Sequence, residues 1–256
     1  MLIQYASDLH LEFSENRAWL KAHPMEPAAE VLLLAGDVLP LHQAYGAPGL
    51  FKRLTQGFRE VIWLPGNHEY YGGRIEDKDL DTDIRLFRNI RIVNNRSVLY
   101  PGVRILCTTL WTAIAQMNEG ALRHNMNDYH AIRHGSGLLM PAHTTRFHAH
   151  CLAWLKSELT KPFDGCTIVA THHVPTLQHY PPEYVGSALN QAFAVELEEL
   201  IAGSGALAWI YGHHHRNIPA FMIGGTRMFT NQVGYVAQNE QIGFDPAAVI
   251  GPGMHR

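Results

Sequence analysis

Five times along this chain a short apolar run ends in a cluster of polar, ionisable residues. That recurrence constrains the fold more than any other feature. Residues 2–5 lead into Ala6-Ser7-Asp8-Leu9-His10, and Val31-Leu32-Leu33-Leu34 leads to Gly36-Asp37. Val61-Ile62-Trp63-Leu64 is followed by Pro65-Gly66-Asn67-His68-Glu69, and Thr167-Ile168-Val169-Ala170 by Thr171-His172-His173. Leu207-Ala208-Trp209-Ile210-Tyr211 runs into Gly212-His213-His214-His215. Runs this short, several of them β-branched, read as buried strands. Ligands of open α/β sheets gather beyond the carboxyl ends of the strands, where loops from distant parts of a sequence can meet. A Gly beside the polar residue (Gly36, Gly66, Gly212) lets the backbone turn sharply there.

Helices fill the intervals. Residues 143–160 carry Phe147, Cys151, Trp154, Leu155 and Leu159 as a helical stripe. Leu189, Phe193, Leu197, Leu200 and Ile201 form a second stripe that stops at Gly203. Residues 43–59 and 74–88 are also expected as helices. Residues 218–223 and 226–230 flank Gly224-Gly225 and predict a hairpin. Residues 245–256 contain Gly and Pro and are expected as a loosely ordered tail. With 256 residues, no internal repeat and no linker-like segment, the chain reads as one α/β domain spanning 1–256.

Composition narrows the classes. Apolar residues make up 46%, enough for a sizeable core and too many for disorder. A net charge of −3 argues against a dedicated nucleic-acid binder. Three cysteines, Cys107, Cys151 and Cys166, lie far apart with no Cys-x-x-Cys. That argues against a disulfide framework and fits a reducing cytoplasm. The first residues lack the charged and apolar regions of a signal peptide, and no apolar run approaches the ~20 residues of a membrane helix. A soluble, cytoplasmic protein is expected; pattern alone does not give the oligomeric state.

Histidine is abundant, at 17 residues, and it is the commonest metal ligand. In an extended segment residues two apart share a side, so Asp8 and His10 can face one ion, as can His213 and His215. Taken alone, Asp8-x-His10 and Gly36-Asp37 read slightly better as solvated turns. Asp37 has two oxygens and can bridge two ions where His cannot. Asn67 offers a neutral oxygen, which limits negative charge in a site that must accept an anion. His68, next to it, can point elsewhere and face a substrate. His172 and His173 are alternatives for one ligand, and His214 is expected to point away. Oxygen and imidazole donors together suit Mn, Fe, Zn or Co better than Ca, and the absence of Cys argues against a structural zinc site.

The ordered set Asp8-Leu9-His10, Gly36-Asp37, Gly66-Asn67-His68-Glu69, His172 and Gly212-His213-His214-His215 resembles the calcineurin-like metallophosphoesterase superfamily. The motifs span residues 8–215, and the arrangement is most similar to the bacterial branch containing class III cyclic-nucleotide phosphodiesterases. The resemblance implies a four-layer α/β sandwich, two mixed β-sheets flanked by helices. It implies that Asp8, His10 and His215 hold one divalent ion, that Asn67, His172 and His213 hold a second, and that Asp37 bridges them. It favours His172 over His173, and Mn among the candidate metals. Met126-Asn127-Asp128-Tyr129 and Pro181-Pro182-Glu183-Tyr184 lie where the family varies its substrate loops. Turn and helix-start chemistry is the plainer reading of Asn127-Asp128, and a surface ion pair that of Arg133.

The implied reaction is attack on phosphorus by a hydroxide bridging two ions about 3.5–4 Å apart. His68 would serve as general acid or phosphate donor. A small phosphodiester is the expected substrate. The alternatives are a phosphomonoesterase on the same core and a non-catalytic metal-binding scaffold. A nuclease related to double-strand-break repair enzymes is disfavoured, because such enzymes carry extra domains.

Overall fold

The computed structural model describes residues 1–184 and 186–253. Along the chain run strands β1 (Ile3–Ala6), β2 (Val31–Ala35), β3 (Glu60–Leu64), β4 (Asp83–Phe87), β5 (Ile90–Val93), β6 (Arg96–Tyr100), β7 (Val103–Thr108), β8 (Arg133–His134), β9 (Gly137–Leu138), β10 (Cys166–Thr171), β11 (Ala208–Ile210), β12 (Phe221–Ile223), β13 (Thr226–Phe229) and β14 (Val249–Ile250). Between them lie α1 (Ser14–Ala22), α2 (Leu41–Ala44), α3 (Pro48–Leu54), α4 (Glu119–Asn125), α5 (Asp128–Ala131), α6 (Pro141–Leu159) and α7 (Glu198–Gly203). Two six-stranded mixed sheets result, ordered β14-β1-β2-β3-β5-β4 and β12-β13-β11-β10-β7-β6, plus the small β8–β9 ribbon. Within each sheet the four central strands are parallel and the two edges antiparallel.

Alternation along the strands builds the layers. Val31, Leu33, Ala35, Ile62 and Leu64 face the second sheet and meet Ile105, Ile168, Ala170 and Ile210. Leu32, Leu34, Val61 and Trp63 face the other way, onto Leu20 of α1 and Phe51 of α3. On the far side Leu106, Val169, Trp209 and Met228 pack against Leu155 of α6 and Ile201 of α7. Strands covered on both faces need apolar side chains at every position, which is why β2 reads as an unbroken apolar run. Helix α6 presents Thr144, Phe147, Cys151 and Leu155 on its buried face. The hairpin forms as β12–β13, with Gly224 at φ +58. Among the described residues no helix is long and apolar enough to cross a membrane.

Four sequence expectations are corrected. Residues 74–88 are not a helix: a 3-10 turn at Asp77–Asp81 leads into β4, an edge strand of the first sheet. Its pairing with β5 includes a bidentate Arg91–Asp83 contact, and this tertiary pairing overrides local propensity. Residues 43–59 split into α2 and α3, because Pro48 lacks the N–H needed to continue a helix and instead starts the second one. The stripe from Leu189 to Ile201 is a 3-10 turn at Ala188–Ala192 followed by α7. Between them Phe193 and Val195 exchange backbone hydrogen bonds with Val174, which holds that stretch extended. The expected loose tail contributes β14 to the edge of the first sheet, paired with β1; residues 254–256 lie outside the described residues. Strands β5 to β7 were not anticipated, although Pro101-Gly102 marks the β6–β7 turn.

Leu33 is fully buried between the sheets. Leu33→Ala is expected to lower unfolding free energy by about 2–5 kcal/mol, measured by denaturant titration. A loss below about 1 kcal/mol would show that this interlayer is not the core.

Candidate metal centre

Parallel pairing puts the C-terminal ends of β1, β2 and β3 on one edge of the first sheet and those of β10 and β11 on one edge of the second. The loops after these five strands carry all eight residues singled out in the sequence, and the fold brings them together. Asp8, His10, Asp37 and His215 each present a ligand atom within 4.8 Å of the others, and so do Asp37, His172 and His213. Asp37 is common to both groups. Asn67 joins the second, with Oδ1 3.1 Å from His172 Nε2. All are buried except the half-buried His215.

Extended backbone does not produce this convergence, contrary to the two-apart argument. Asp8 (φ 54), His10 (φ 45), Asp37 (φ 54), His213 (φ 77) and His215 (φ 51) all adopt left-handed backbone, so the chain curls around the donors. Each such residue costs of order 1–3 kcal/mol and persists only where its surroundings over-determine it. Here the loops brace one another. Asp8 N–H donates to Gly36 O and His10 N–H to Asp37 O, both at 2.9 Å, and Gly212 N–H donates to His172 O at 3.0 Å.

Glycine serves close approach more than turning. A Cβ on Gly66 would lie 2.2 Å from Asp37 Oδ1 and 2.6 Å from His172 Nε2, and one on Gly212 would lie 2.4 Å from Asp8 Oδ2. Gly36 combines both needs: φ is +94, and a Cβ there would meet His172 Nδ1 at 2.1 Å.

Several residues that sequence reasoning missed orient the donors. Glu12 Oε1 accepts from His10 Nδ1 (3.0 Å) and His68 Nδ1 (2.8 Å). Glu240 holds His215 Nδ1 at 2.7 Å, and Ala35 O holds His172 Nδ1 at 3.0 Å. Asp128 accepts from the Asn67 amide (2.8 Å) and from Tyr71 OH (2.6 Å). Glu69 accepts from Asp37 N, Val38 N, Gly66 N and Trp63 Nε1, tying the loops after β2 and β3 together. Burial and the nearby Asp37 carboxylate push the Glu69 carboxyl up to about 7. Glu12 continues the Asp8-x-His10 alternation and Glu69 completes the Gly-Asn-His-Glu run, so both left a signal in the sequence.

This donor set calls for positive charge. With Nδ1 of His10, His172 and His215 and Nε2 of His213 tied to acceptors, His10 Nε2 and His215 Nε2 face each other at 3.0 Å, and His172 Nε2 and His213 Nδ1 at 3.1 Å. Two facing lone pairs repel unless a proton or a cation lies between them. Burial alone would lower His172 and His215. Asp37 holds His172 up to about 9, and hydrogen bonds to Asp8 and Glu240 hold His215 up to about 10. Burial would raise the Asp37 carboxyl, but His172 and His68 pull it well below the usual carboxylate range. Burial and the neighbouring His173 push His213 well below the usual imidazole range. Carboxylates, one amide oxygen and imidazole nitrogens converging in this way fit divalent transition-type ions, which would replace the imidazole protons.

The adjacent histidines separate. His172 lies in the cluster, whereas His173 turns its Nδ1 to Thr109 O at 3.0 Å and stacks near Trp111. His214 points away from the donors and is bonded by Gln232. Arg133 lies on the exposed ribbon strand β8. A cavity of about 380 Å³ opens onto Asp37, Asn67, His68, His213 and His215. Met126, Asn127 and Tyr184 line it, so both variable segments reach the site. Asn127-Asp128 is indeed a helix start, at α5, and Asp128 also positions Asn67.

Two packed six-stranded sheets thus carry a His/Asp/Asn rim at the carboxyl ends of their parallel strands, an arrangement suited to holding metal ions. Residues 1–217 match the calcineurin-like phosphoesterase family, and the chain belongs to it. An uncharacterized protein of Acanthamoeba polyphaga mimivirus is 27% identical over 97% of this chain and 96% of its own length. The solved phosphopantetheinyl hydrolase PptH from Mycobacterium tuberculosis superposes with a TM-score of 0.68 at 17% identity, covering 99% of this chain and 97% of that one. A dimetal phosphatase from Danio rerio gives a TM-score of 0.49 at 13% identity, over 91% and 87%.

Two measurements follow from this geometry. Gly66→Ala forces apart Asp37 and His172, so it is expected to cost about 1–3 kcal/mol of stability and to lower bound metal after dialysis; unchanged metal content would show that the contact is not confining. Metal binding must displace the protons of His172 and His215, whose pKa values are raised. Apparent metal affinity of the chelator-treated protein is therefore expected to rise with pH throughout the range below about 9. Calorimetry in buffers of different ionisation enthalpy should show proton release, and pH-independent affinity would overturn the argument.

Proposed function

We propose that the chain is a dinuclear-metal phosphoesterase acting on a small phosphodiester. The observation that carries this is the pair of buried donor groups sharing Asp37 at the mouth of a cavity that also holds His68. Asp8, His10 and His215 would hold one divalent ion, Asn67, His172 and His213 would hold the other, and Asp37 would serve both; Mn is favoured among Mn, Fe, Zn and Co. Such a pair supplies an acidified water and neutralises charge on the phosphoryl oxygens.

The chain's own groups do the remaining work. Glu12 and Glu240 fix the ring orientation of His10 and His215, so that their inner nitrogens face each other. Asn67 contributes an oxygen without charge, which leaves room for an anionic ester. His68 stacks on Tyr71 with centroids 4.0 Å apart and lies with Nε2 3.3 Å from Tyr235 OH. Burial opposes its imidazolium, but the Asp37 and Glu12 carboxylates outweigh burial and raise its pKa. Its Nε2–H can therefore donate toward a leaving alcohol, the role of a general acid.

Diester preference is supported by the resemblance to the class III phosphodiesterase branch and by the cavity extending beyond the donors, with room for an alcohol on the far side of phosphorus. PptH is named for a phosphopantetheinyl group, so such an ester belongs in the substrate panel. Free Cys107, Cys151 and Cys166 fit action in a reducing cytoplasm.

Hydrolysis of bis(p-nitrophenyl) phosphate and p-nitrophenyl phosphate, with and without Mn, tests the reading. Faster diester cleavage is expected, whereas no turnover with any of the four metals would support the scaffold alternative. His68→Ala is expected to lower kcat by about 10²–10⁴-fold while metal content stays near that of the native protein. Loss of metal in this variant would make His68 a ligand instead.

A further inference from the structure

Beyond the donors, the cavity changes character. One segment supplies Asn125, Met126 and Asn127, at and after the end of α4, and a second supplies Tyr184, Leu189 and Asn190. These walls are apolar or carry neutral amides. Among the described residues lining the cavity there is no Lys or Arg, and the acidic ones are Asp37 and Glu240. Glu240 is already engaged by His215 Nδ1 and Tyr235 N, each at 2.7 Å. Arg216, next in sequence to His215, is ion-paired with Glu183 on the surface. Asn125 and Asn190 are each anchored by one amide N–H, to Ala121 O at 2.8 Å and Tyr184 O at 2.5 Å. Among the described residues nothing else bonds their side-chain carbonyl oxygens, which can therefore accept from a ligand.

The phosphoryl group is thus served at one end of the cavity, and nothing at the other end offers a counter-charge. A second anion placed there would lose water without gaining a partner. We propose that this cavity selects phosphate esters whose alcohol portion is uncharged, an apolar chain or ring bearing amide or hydroxyl groups, and rejects esters with a further phosphate or a carboxylate. The volume of about 380 Å³ admits one such compact group, since small-molecule sites run to roughly 300–1,000 Å³. The inference rests on the hydrolase reading above for the direction in which the ester lies. It narrows the candidates by excluding nucleoside polyphosphates.

A matched pair of probes tests it. 3-Acetamidopropyl phosphate and 4-carboxybutyl phosphate have nearly the same length and differ in end charge. Calorimetry on the Mn-loaded protein is expected to show the acetamide binding at least about tenfold more tightly. The corresponding p-nitrophenyl diesters are expected to show the same ratio in kcat/KM. In Asn127→Arg, which adds a cation to the exposed wall, that ratio should shrink or invert. Equal binding of the two probes, or an unchanged ratio in Asn127→Arg, overturns the proposal. Retained binding selectivity without hydrolysis of either diester would instead sink the hydrolase reading and leave the selectivity standing.

Discussion

Asp8 and Asp37 are carboxylates with almost no contact with water, placed together at the edge of two covered sheets. Buried charge of this kind is tolerated only when opposite charge and hydrogen bonds meet it. That requirement organises the rim. Imidazoles surround both aspartates, with His172 Nε2 3.4 Å from Asp37 Oδ1 and His215 Nε2 3.4 Å from Asp8 Oδ1. Glu12, Glu240 and the Ala35 carbonyl then take up the outer ring nitrogens and leave the inner ones to converge. The left-handed backbone at five donors and the three glycines are what a close cluster costs in conformational freedom.

The strain is confined to where the donors are. Below the rim, the parallel centres of both sheets are regular, and their side chains alternate into three apolar layers. This division suits a catalyst: rigid strands fix the candidate metal ligands, while walls of the cavity come from the end of α4 and the 3-10 turns at Pro182–Tyr184 and Ala188–Ala192, connections of the kind that vary on a fixed scaffold.

What the sequence made legible follows the same division. The five strand ends, α6 and the β12–β13 hairpin were readable, because a long apolar stripe or a Gly-Gly turn leaves a local trace. Strand β4 was not, because Asp83-Ile84-Arg85-Leu86-Phe87 is short and mostly exposed, and only its pairing with β5 makes it a strand. The eight candidate residues were named from their positions after strands and the fold gathers them at one rim, although left-handed rather than extended backbone turns the Asp8/His10 and His213/His215 pairs inward. Asp128 and Glu240 were invisible as partners of Asn67 and His215, 61 and 25 residues away in the chain. Sequence periodicity carries no information about contacts at that separation.

Three times in this site a residue assigned to a metal is followed by a histidine: Asn67 by His68, His172 by His173, and His213 by His214. Adjacency and residue type are the same in each case, yet the three behave differently. Burial, reinforced by the charge of His172, pushes His173 down to about 3, and burial pushes His214 down to about 4. Both remain neutral, packed against Trp111 and Tyr211 respectively. His68 is just as enclosed, but its Nδ1 meets Glu12 at 2.8 Å, and its pKa moves the other way. The surroundings of each ring thus decide its chemistry: His173 meets a carbonyl, His214 Nδ1 accepts from the Gln232 amide, and only His68 has the carboxylates of Asp37 and Glu12 to favour its imidazolium. Glu12, which meets both His10 and His68, is therefore the residue that ties the donor cluster to the proposed acid in one arrangement.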